Sequence, residues 1–537
     1  MKKIILPALI LICILSALLT TTRNSQTACF NADEAAFGYN AYSIMKTGGD
    51  EYGVKAPLRL RSFGDYKMPL YSYLSIPFIA TMGLSETSTR ALNMLMSLFL
   101  PAIVYLLSRE LFEKKSIALL SAGATTTTFG LYMLGRQAHE AYLTTFILLA
   151  AFYVYLRAIR LKSMRWWIGL CALLGLALFG YQSTRIMAGF FVAMTFILTL
   201  KKHVSWRYFF ILLAALAIFS IPDFIYQPAR VSNLLFFRSS GFEQQIDEYR
   251  FDGGSRVLYN KGTIGAWELL HNHLSYYSPQ FLLERGDENY RFGYHNLSII
   301  TPVVYLMSIL GIYFLFRKKH RGRWIIISAL AAIPLGGSLS WAGASLTRTL
   351  ILLPLLGMTA GYGVFEFAKA QSKNKKVRYA LIGSIALMHT ALFAWTYNTY
   401  MNHYPKRDVT VHAQQCGYRD AVDIVRDRVD RADNVYVSKS NGQPYIFMLF
   451  YLQRDPAQYA KSAALSEPDE YGFGQVERDG NIHYNIPEDK IPNNSLIIAS
   501  EVDFQTHPLL SQIPQDKITK VKRHSSTLFY IYESANK

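Results

Sequence analysis

The chain reads as a polytopic α-helical membrane protein that carries a small outer α/β domain. Three observations point there. Apolar runs recur along the first three quarters of the sequence, basic residues cluster in every second link between those runs, and beyond residue 397 the pattern changes to mixed helix and strand.

Each run must cross roughly 30 Å of hydrocarbon at 1.5 Å per residue, which takes about 20 residues. About eleven stretches approach that length by hydropathy: 4–19, 91–107, 116–134, 141–155, 166–180, 186–200, 208–221, 297–316, 324–339, 346–367 and 379–395. The composition agrees. Of 537 residues 51% are hydrophobic, 14% aromatic and only 17% charged, as expected of an integral membrane protein with soluble additions.

The net charge of +18 does not form one patch. Its clusters are Lys2-Lys3, Arg109 with Lys114-Lys115, 157–165, Lys201-Lys202, 317–323 and 369–378, and all fall on one side if the runs alternate. That argues against a nucleic-acid partner, which would select a continuous basic face. By the positive-inside rule the basic side is cytoplasmic, so the N-terminus is expected inside and the C-terminal domain outside, in a cell membrane crossed many times. Met1-Lys2-Lys3 before an apolar run also has the form of a signal peptide. No A-x-A site follows Leu19, and a retained anchor is the expectation.

Three long outer segments follow: 22–89, 222–296 and 398–537. The expected division is a transmembrane domain, 1–397, holding the first two as outer loops, and an outer α/β domain, 398–537. In the latter, 421–425 reads as an amphipathic helix, while 434–437 and 495–499 read as strands. Cys13 and Cys171 fall inside spans. Cys29 and Cys416 face the outside, where a disulfide can persist, although their spacing alone does not bring them together.

The outer face carries unusual charge. Asp33-Glu34 lies just past the first span, and carboxylates at a bilayer surface are expected to do chemistry or bind ions. Glu34 has a second reading as a helix cap. Lys67 stands in an aromatic stretch that suits the membrane interface, and Arg136, Arg185 and Arg348 sit singly in short outer links. A lone arginine there can simply snorkel to a headgroup. Three on the face that also carries two carboxylates suggest a polar pocket for an anion such as phosphate, which guanidinium groups bind in paired hydrogen bonds. Asp33, Glu34, Asp287, Glu288, His139 and His295 have the chemistry of metal ligands but no diagnostic spacing.

An N-terminal span, the outer Asp33-Glu34, Lys67-Met68-Pro69-Leu70-Tyr71, Thr89-Arg90 after Glu86, and Arg136-Gln137-Ala138-His139-Glu140 together resemble the GT-C glycosyltransferases. The resemblance is to the bacterial branch of the dolichyl-phosphate-mannose protein mannosyltransferase family, glycosyltransferase family 39-like, related to the lipid A aminoarabinose transferases. It covers roughly residues 1–400, and 277–289 with Arg291 resembles that branch's second large outer loop. What it implies is an inverting transfer of a sugar from a polyprenyl-phosphate donor to an acceptor outside the membrane, a lipid, glycan or protein. Asp33 would be the general base with Glu34 beside it. Lys67, Arg136, Arg185 and Arg348 would hold the donor phosphate, and Glu140, Asp287, Asn289 and Arg291 would contact substrate. No cofactor and no essential metal are expected on this resemblance. The His-Pro-Pro signature of eukaryotic protein mannosyltransferases is missing, which puts protein O-mannosylation in doubt. The alternatives are a polyprenyl-linked glycan ligase or a transporter of lipid or glycan. Transport is disfavoured because the charges gather at one face and no halves repeat.

Overall fold

A computed structural model describes residues 2–63, 65–226, 235–295, 297–467 and 476–535; part of the expected outer segment 222–296 therefore lies outside the described residues. The chain divides into two compact units, 1–22 with 93–400 and 23–92 with 401–537. Residues 22–89, read from the sequence as a loop of the transmembrane part, thus group almost wholly with the C-terminal residues.

The first unit is helical. Every apolar run named above falls on a helix or a broken helix, for example Lys2–Thr21, Glu86–Phe112 and Glu140–Leu161. Among the described residues three helices are long and apolar enough to cross a membrane: Glu86–Phe112, Glu140–Leu161 and Lys375–Lys406. A fourth span would join Lys115–Thr126 to Phe129–Gly135 across a 61° bend. The remaining apolar helices of this unit are shorter, so the expected count of about eleven rests on hydropathy and not on helix length.

Close packing has a sequence cause in this unit. Helices Pro302–Arg317 and Leu352–Gln371 meet at Gly311 and Gly363. A Cβ at Gly311 would lie 2.0 Å from the Thr359 carbonyl oxygen, and one at Gly363 2.0 Å from that of Met307. Only glycine lets the two backbones approach this far, and small residues are how helices associate where lipid removes the hydrophobic driving force.

Among the described residues the second unit is built on a seven-stranded mixed sheet. Its strands are β3 (Asn434–Val437), β4 (Ala463–Leu465), β5 (Val476–Asp479), β6 (Ile482–His483), β7 (Ser495–Ser500), β8 (Ile518–Arg523) and β9 (Ser526–Glu533), in the order β4-β5-β6-β3-β7-β9-β8. The strands expected at 434–437 and 495–499 are β3 and β7, paired in parallel at its centre. All six residues of β7 are buried, as a central strand covered on both faces requires. Helices Tyr418–Val429, Pro444–Tyr451 and Ala32–Thr47 share its core. A separate antiparallel pair, β1 (Leu60–Ser62) and β2 (Asp65–Lys67), precedes the apolar helix Leu70–Met82. That helix was read from the sequence as an interfacial stretch.

A disulfide joins Cys29 to Cys416 across 387 residues of sequence. Both cysteines belong to this unit, which places them in one core although residues 93–400, between them in sequence, belong to the other unit.

Candidate functional site

The site of the second unit starts from a helix cap. Asn31 takes an extended backbone, and its side-chain oxygen accepts from the Asp33 and Glu34 amides. The Glu34 carboxylate returns a hydrogen bond from the Asn31 amide, closing a capping box. Asp33 and Glu34 thereby occupy the first turn of Ala32–Thr47, where the helix dipole favours negative charge. Their environments then diverge.

Glu34 is 1% exposed. Arg90 is fully buried and donates Nε to Oε1 and Nη2 to Oε2, each at 2.7 Å. It also donates to the Ala28 and Cys29 carbonyls and to Asn24 Oδ1. A forked, multiply satisfied guanidinium of this kind compensates a buried carboxylate. The capping reading of Glu34 is therefore the one its contacts describe, and Arg90, which the sequence reading used only as part of a motif, is its partner.

Asp33 remains half-exposed, its side chain 46% accessible. Lys67 Nζ, carried on β2, donates to Asp33 Oδ1 at 2.7 Å. The same ammonium stands 4.1 Å from the Phe63 ring centroid and 5.4 Å from that of Phe37, a cation–π cradle. Phe63 holds a left-handed backbone, φ 56°, costly for an aromatic residue and concentrated where surroundings demand it. The structure thus brings together two residues 34 apart in sequence that were assigned separate roles.

Behind them lies a group the sequence reading missed. Glu51 is completely buried, accepts from Tyr445 Oη at 2.9 Å and from Asn40 Nδ2 at 2.9 Å, and feels the Lys67 charge. Burial pushes its carboxyl up to about 7, with the Tyr445 hydrogen bond the strongest opposing influence. The folded value lies above that of an unfolded glutamate, so the folded protein binds the extra proton. Stability is then expected to fall as pH rises from about 4.5 towards 7. Denaturant midpoints measured across that window should show the slope in the wild type and a reduced slope in Glu51→Gln. Equal slopes would remove Glu51 as its source. Tyr445 is a buried core residue, and Tyr451, partly buried against the same core, donates to Glu86.

The other expected site residues belong to the first unit. Arg136 is buried, donates to the Leu19 carbonyl at 2.7 Å and lies over the Tyr132 ring. Arg185 forms a two-pronged pair with Asp223 at 2.8 and 2.7 Å. Phosphate binding there would first have to break that pair. Arg348 sits in the turn Thr347–Thr349, and its Nη1 has no acceptor among the described residues. Asp287 lies within its electrostatic reach and is itself a brace, accepting from the Leu346 amide at 2.7 Å and the Asn289 amide at 2.9 Å. Burial raises the Asp287 carboxyl. The Asn289 side chain caps the Arg291 amide, and Glu140 pairs with His139 at 3.5 Å. Among the described residues no three His, Cys, Asp or Glu side chains converge as a metal site.

Residues 67–225 match the family model described as dolichyl-phosphate-mannose-protein mannosyltransferase, a match that includes Lys67, Arg136, Glu140 and Arg185 but not Asp33. The whole chain superimposes on ArnT from Cupriavidus metallidurans bound to undecaprenyl phosphate, at TM-score 0.58 and 10% identity, over 97% of each chain. The fold is GT-C. The archaeal oligosaccharyltransferase AglB from Archaeoglobus fulgidus, in complex with an inhibitory peptide and a dolichol-phosphate, shares that GT-C fold at TM-score 0.54 and 12% identity, over 94% of this chain and 70% of that one. A comparison with curated proteins finds no match. The resemblance read from the sequence, to a GT-C glycosyltransferase related to the aminoarabinose transferases, agrees with the family match and the fold.

Proposed function

We propose that this GT-C protein is a membrane glycosyltransferase that moves a sugar from a polyprenyl-phosphate donor to an acceptor outside the membrane, with inversion. The observation that carries the reading is the Asp33–Lys67 pair at 2.7 Å, a half-exposed carboxylate held by a cation. An acceptor hydroxyl must lose its proton as its oxygen attacks the anomeric carbon, and Asp33 is the base that takes it. The bond to the lipid phosphate breaks on the opposite side, and charge grows on the departing phosphate oxygen. Lys67 meets that charge, leaving Asp33 for the phosphate when the donor binds, so that one event frees the base and neutralises the leaving group. Two relatives in fold are described with undecaprenyl phosphate and dolichol-phosphate bound, which supports a lipid phosphate as the donor's carrier. Arg348 Nη1 has no acceptor among the described residues, and we retain Arg348 as a phosphate ligand in its own unit.

Lys67→Met keeps most of the apolar stem and deletes the charge. Donor affinity should weaken by about 1.5–3 kcal/mol, the range for a hydrogen bond to a charged group, while acceptor affinity stays nearly unchanged. Titration of both proteins with a polyprenyl-phosphate sugar reads this directly, and equal affinities would return Lys67 to the role of an interfacial lysine. Orientation is tested separately: a cysteine introduced beside Lys373 should label only from the cytoplasm and one beside Asn493 only from outside. The reverse pattern would put Asp33 on the cytoplasmic side and remove the external acceptor.

A further inference from the structure

Helix Ala32–Thr47 presents Asp33, Phe37 and Asn40 at spacings of four and three residues, on one face. Lys67 meets the first two, at Asp33 Oδ1 and over the Phe37 ring. Glu51 meets the third. The buried carboxylate therefore lies farther along the face that holds the ammonium, and a chain of contacts joins them. Glu51 Oε1 accepts from Tyr445 Oη at 2.9 Å, Tyr445 Oη accepts from the Phe63 amide at 3.3 Å, and the Phe63 ring centroid lies 4.1 Å from Lys67 Nζ. We infer that Glu51 and Tyr445 are positioning residues for transfer: through the Phe63 amide they hold the aromatic cradle that aims Lys67. The inference rests on the reading of Lys67 as a ligand of the donor phosphate.

The hairpin that carries the cradle needs such support. Phe63 follows β1, and the register of β1 with β2 sets Leu60 opposite Lys67. Its left-handed backbone persists only where the surroundings over-determine it. Two tethers do so, both tied to the turn that carries Glu51. Tyr445 takes the Phe63 amide and meets the Phe63 ring edge-on, with centroids 5.9 Å apart. Asp50 Oδ2 takes the Arg61 amide at 3.5 Å. The turn itself is fixed, because Asp50 Oδ1 accepts from the Tyr52 and Val54 amides and Ser43 Oγ donates to the Gly49 and Asp50 carbonyls.

The chemistry of position 51 points the same way. An ionised carboxylate can accept on both oxygens, and Glu51 does so, from Tyr445 on Oε1 and from Asn40 Nδ2 on Oε2. Asn40 cannot turn round to relieve this demand, since its Oδ1 accepts from the Glu51 amide at 3.0 Å. A glutamine has one oxygen for the two donors. Its NH2 would face either the Asn40 NH2, leaving both without an acceptor, or the Tyr445 oxygen, in competition with the Phe63 amide. The acid takes the Tyr445 proton and leaves the phenol oxygen to accept from Phe63; Tyr52 is the other neighbour of that hydroxyl.

The test titrates the full-length protein with a polyprenyl-phosphate sugar at a pH above the value of about 7 to which burial raises the Glu51 carboxyl. Tyr445→Phe keeps the ring and removes the bridging hydroxyl. Donor affinity is expected to fall about tenfold, the change that loss of one ordinary hydrogen bond brings, with acceptor affinity unchanged. Glu51→Gln, nearly isosteric, should act in the same direction by several-fold, and it decides alone should Tyr445→Phe fail to fold. In a Lys67→Met background neither substitution should weaken donor binding further, because no ammonium is left to aim. A loss that persists undiminished in that background, or that the acceptor shares, assigns both residues to the core alone and overturns the inference. Wild-type donor affinity in both variants, with Lys67→Met weakened, also overturns it and leaves the transfer reading standing. Unweakened binding in Lys67→Met removes the phosphate role of Lys67 itself, and the inference with it.

Discussion

Asp33→Asn is expected to lower turnover by about 10² or more, the scale of lost general-base catalysis. Magnitudes separate this from a folding defect. The cap that starts the helix uses the Asp33 backbone amide, which asparagine keeps. The pair with Lys67 is half-exposed on the aspartate side, and such pairs contribute about 0–1 kcal/mol. The melting temperature should therefore move little while turnover collapses. Transfer rates with a polyprenyl-phosphate sugar, measured beside thermal melts, check both halves. A variant with normal melting and near-normal turnover would sink the assignment of Asp33 as base.

That pair also shows what the sequence could and could not carry. Hydropathy periods located the helices of the first unit because apolar runs are a local property. The second reading of Glu34 as a helix cap drew on the same kind of local signal, whereas the Asn31 cap itself was not read. The two strands at the centre of the sheet were legible as short β-branched runs, but β4, β5 and β6 are short, and they, together with the longer β8 and β9, were not read from the sequence. Contacts between distant segments left no local trace. Lys67 against Asp33, Arg90 against Glu34, Tyr445 against Glu51 and Cys29 against Cys416 are all made by the fold. Glu51 was missed because its burial depends on residues almost 400 positions away; an acidic pair inside a turn reads as solvated. Arg90 was within reach. An arginine near the start of an apolar helix, four residues after Glu86, is costly unless partnered, and the search for its partner leads to the nearby acidic pair.

The largest effect on stability should come from Arg90. Arg90→Met keeps much of the stem but leaves the Glu34 carboxylate buried without its cation, and breaking a buried pair from one side costs about 3–5 kcal/mol. Glu34→Gln removes the charge on the other side and leaves a guanidinium that still has the Ala28 and Cys29 carbonyls and Asn24 as acceptors, so its cost should be smaller. Combining the two should be less destabilising than adding them, because the double variant buries neither charge. Denaturant unfolding of the three variants gives the coupling. Turnover of Glu34→Gln decides the remaining question about the acidic pair. If Glu34 only caps the helix and holds Arg90, its turnover per folded molecule should follow its stability loss and stay far above that of Asp33→Asn. A folded Glu34→Gln protein as inactive as Asp33→Asn would instead give Glu34 a direct part in the transfer, and the buried Arg90 would become the residue that orients it.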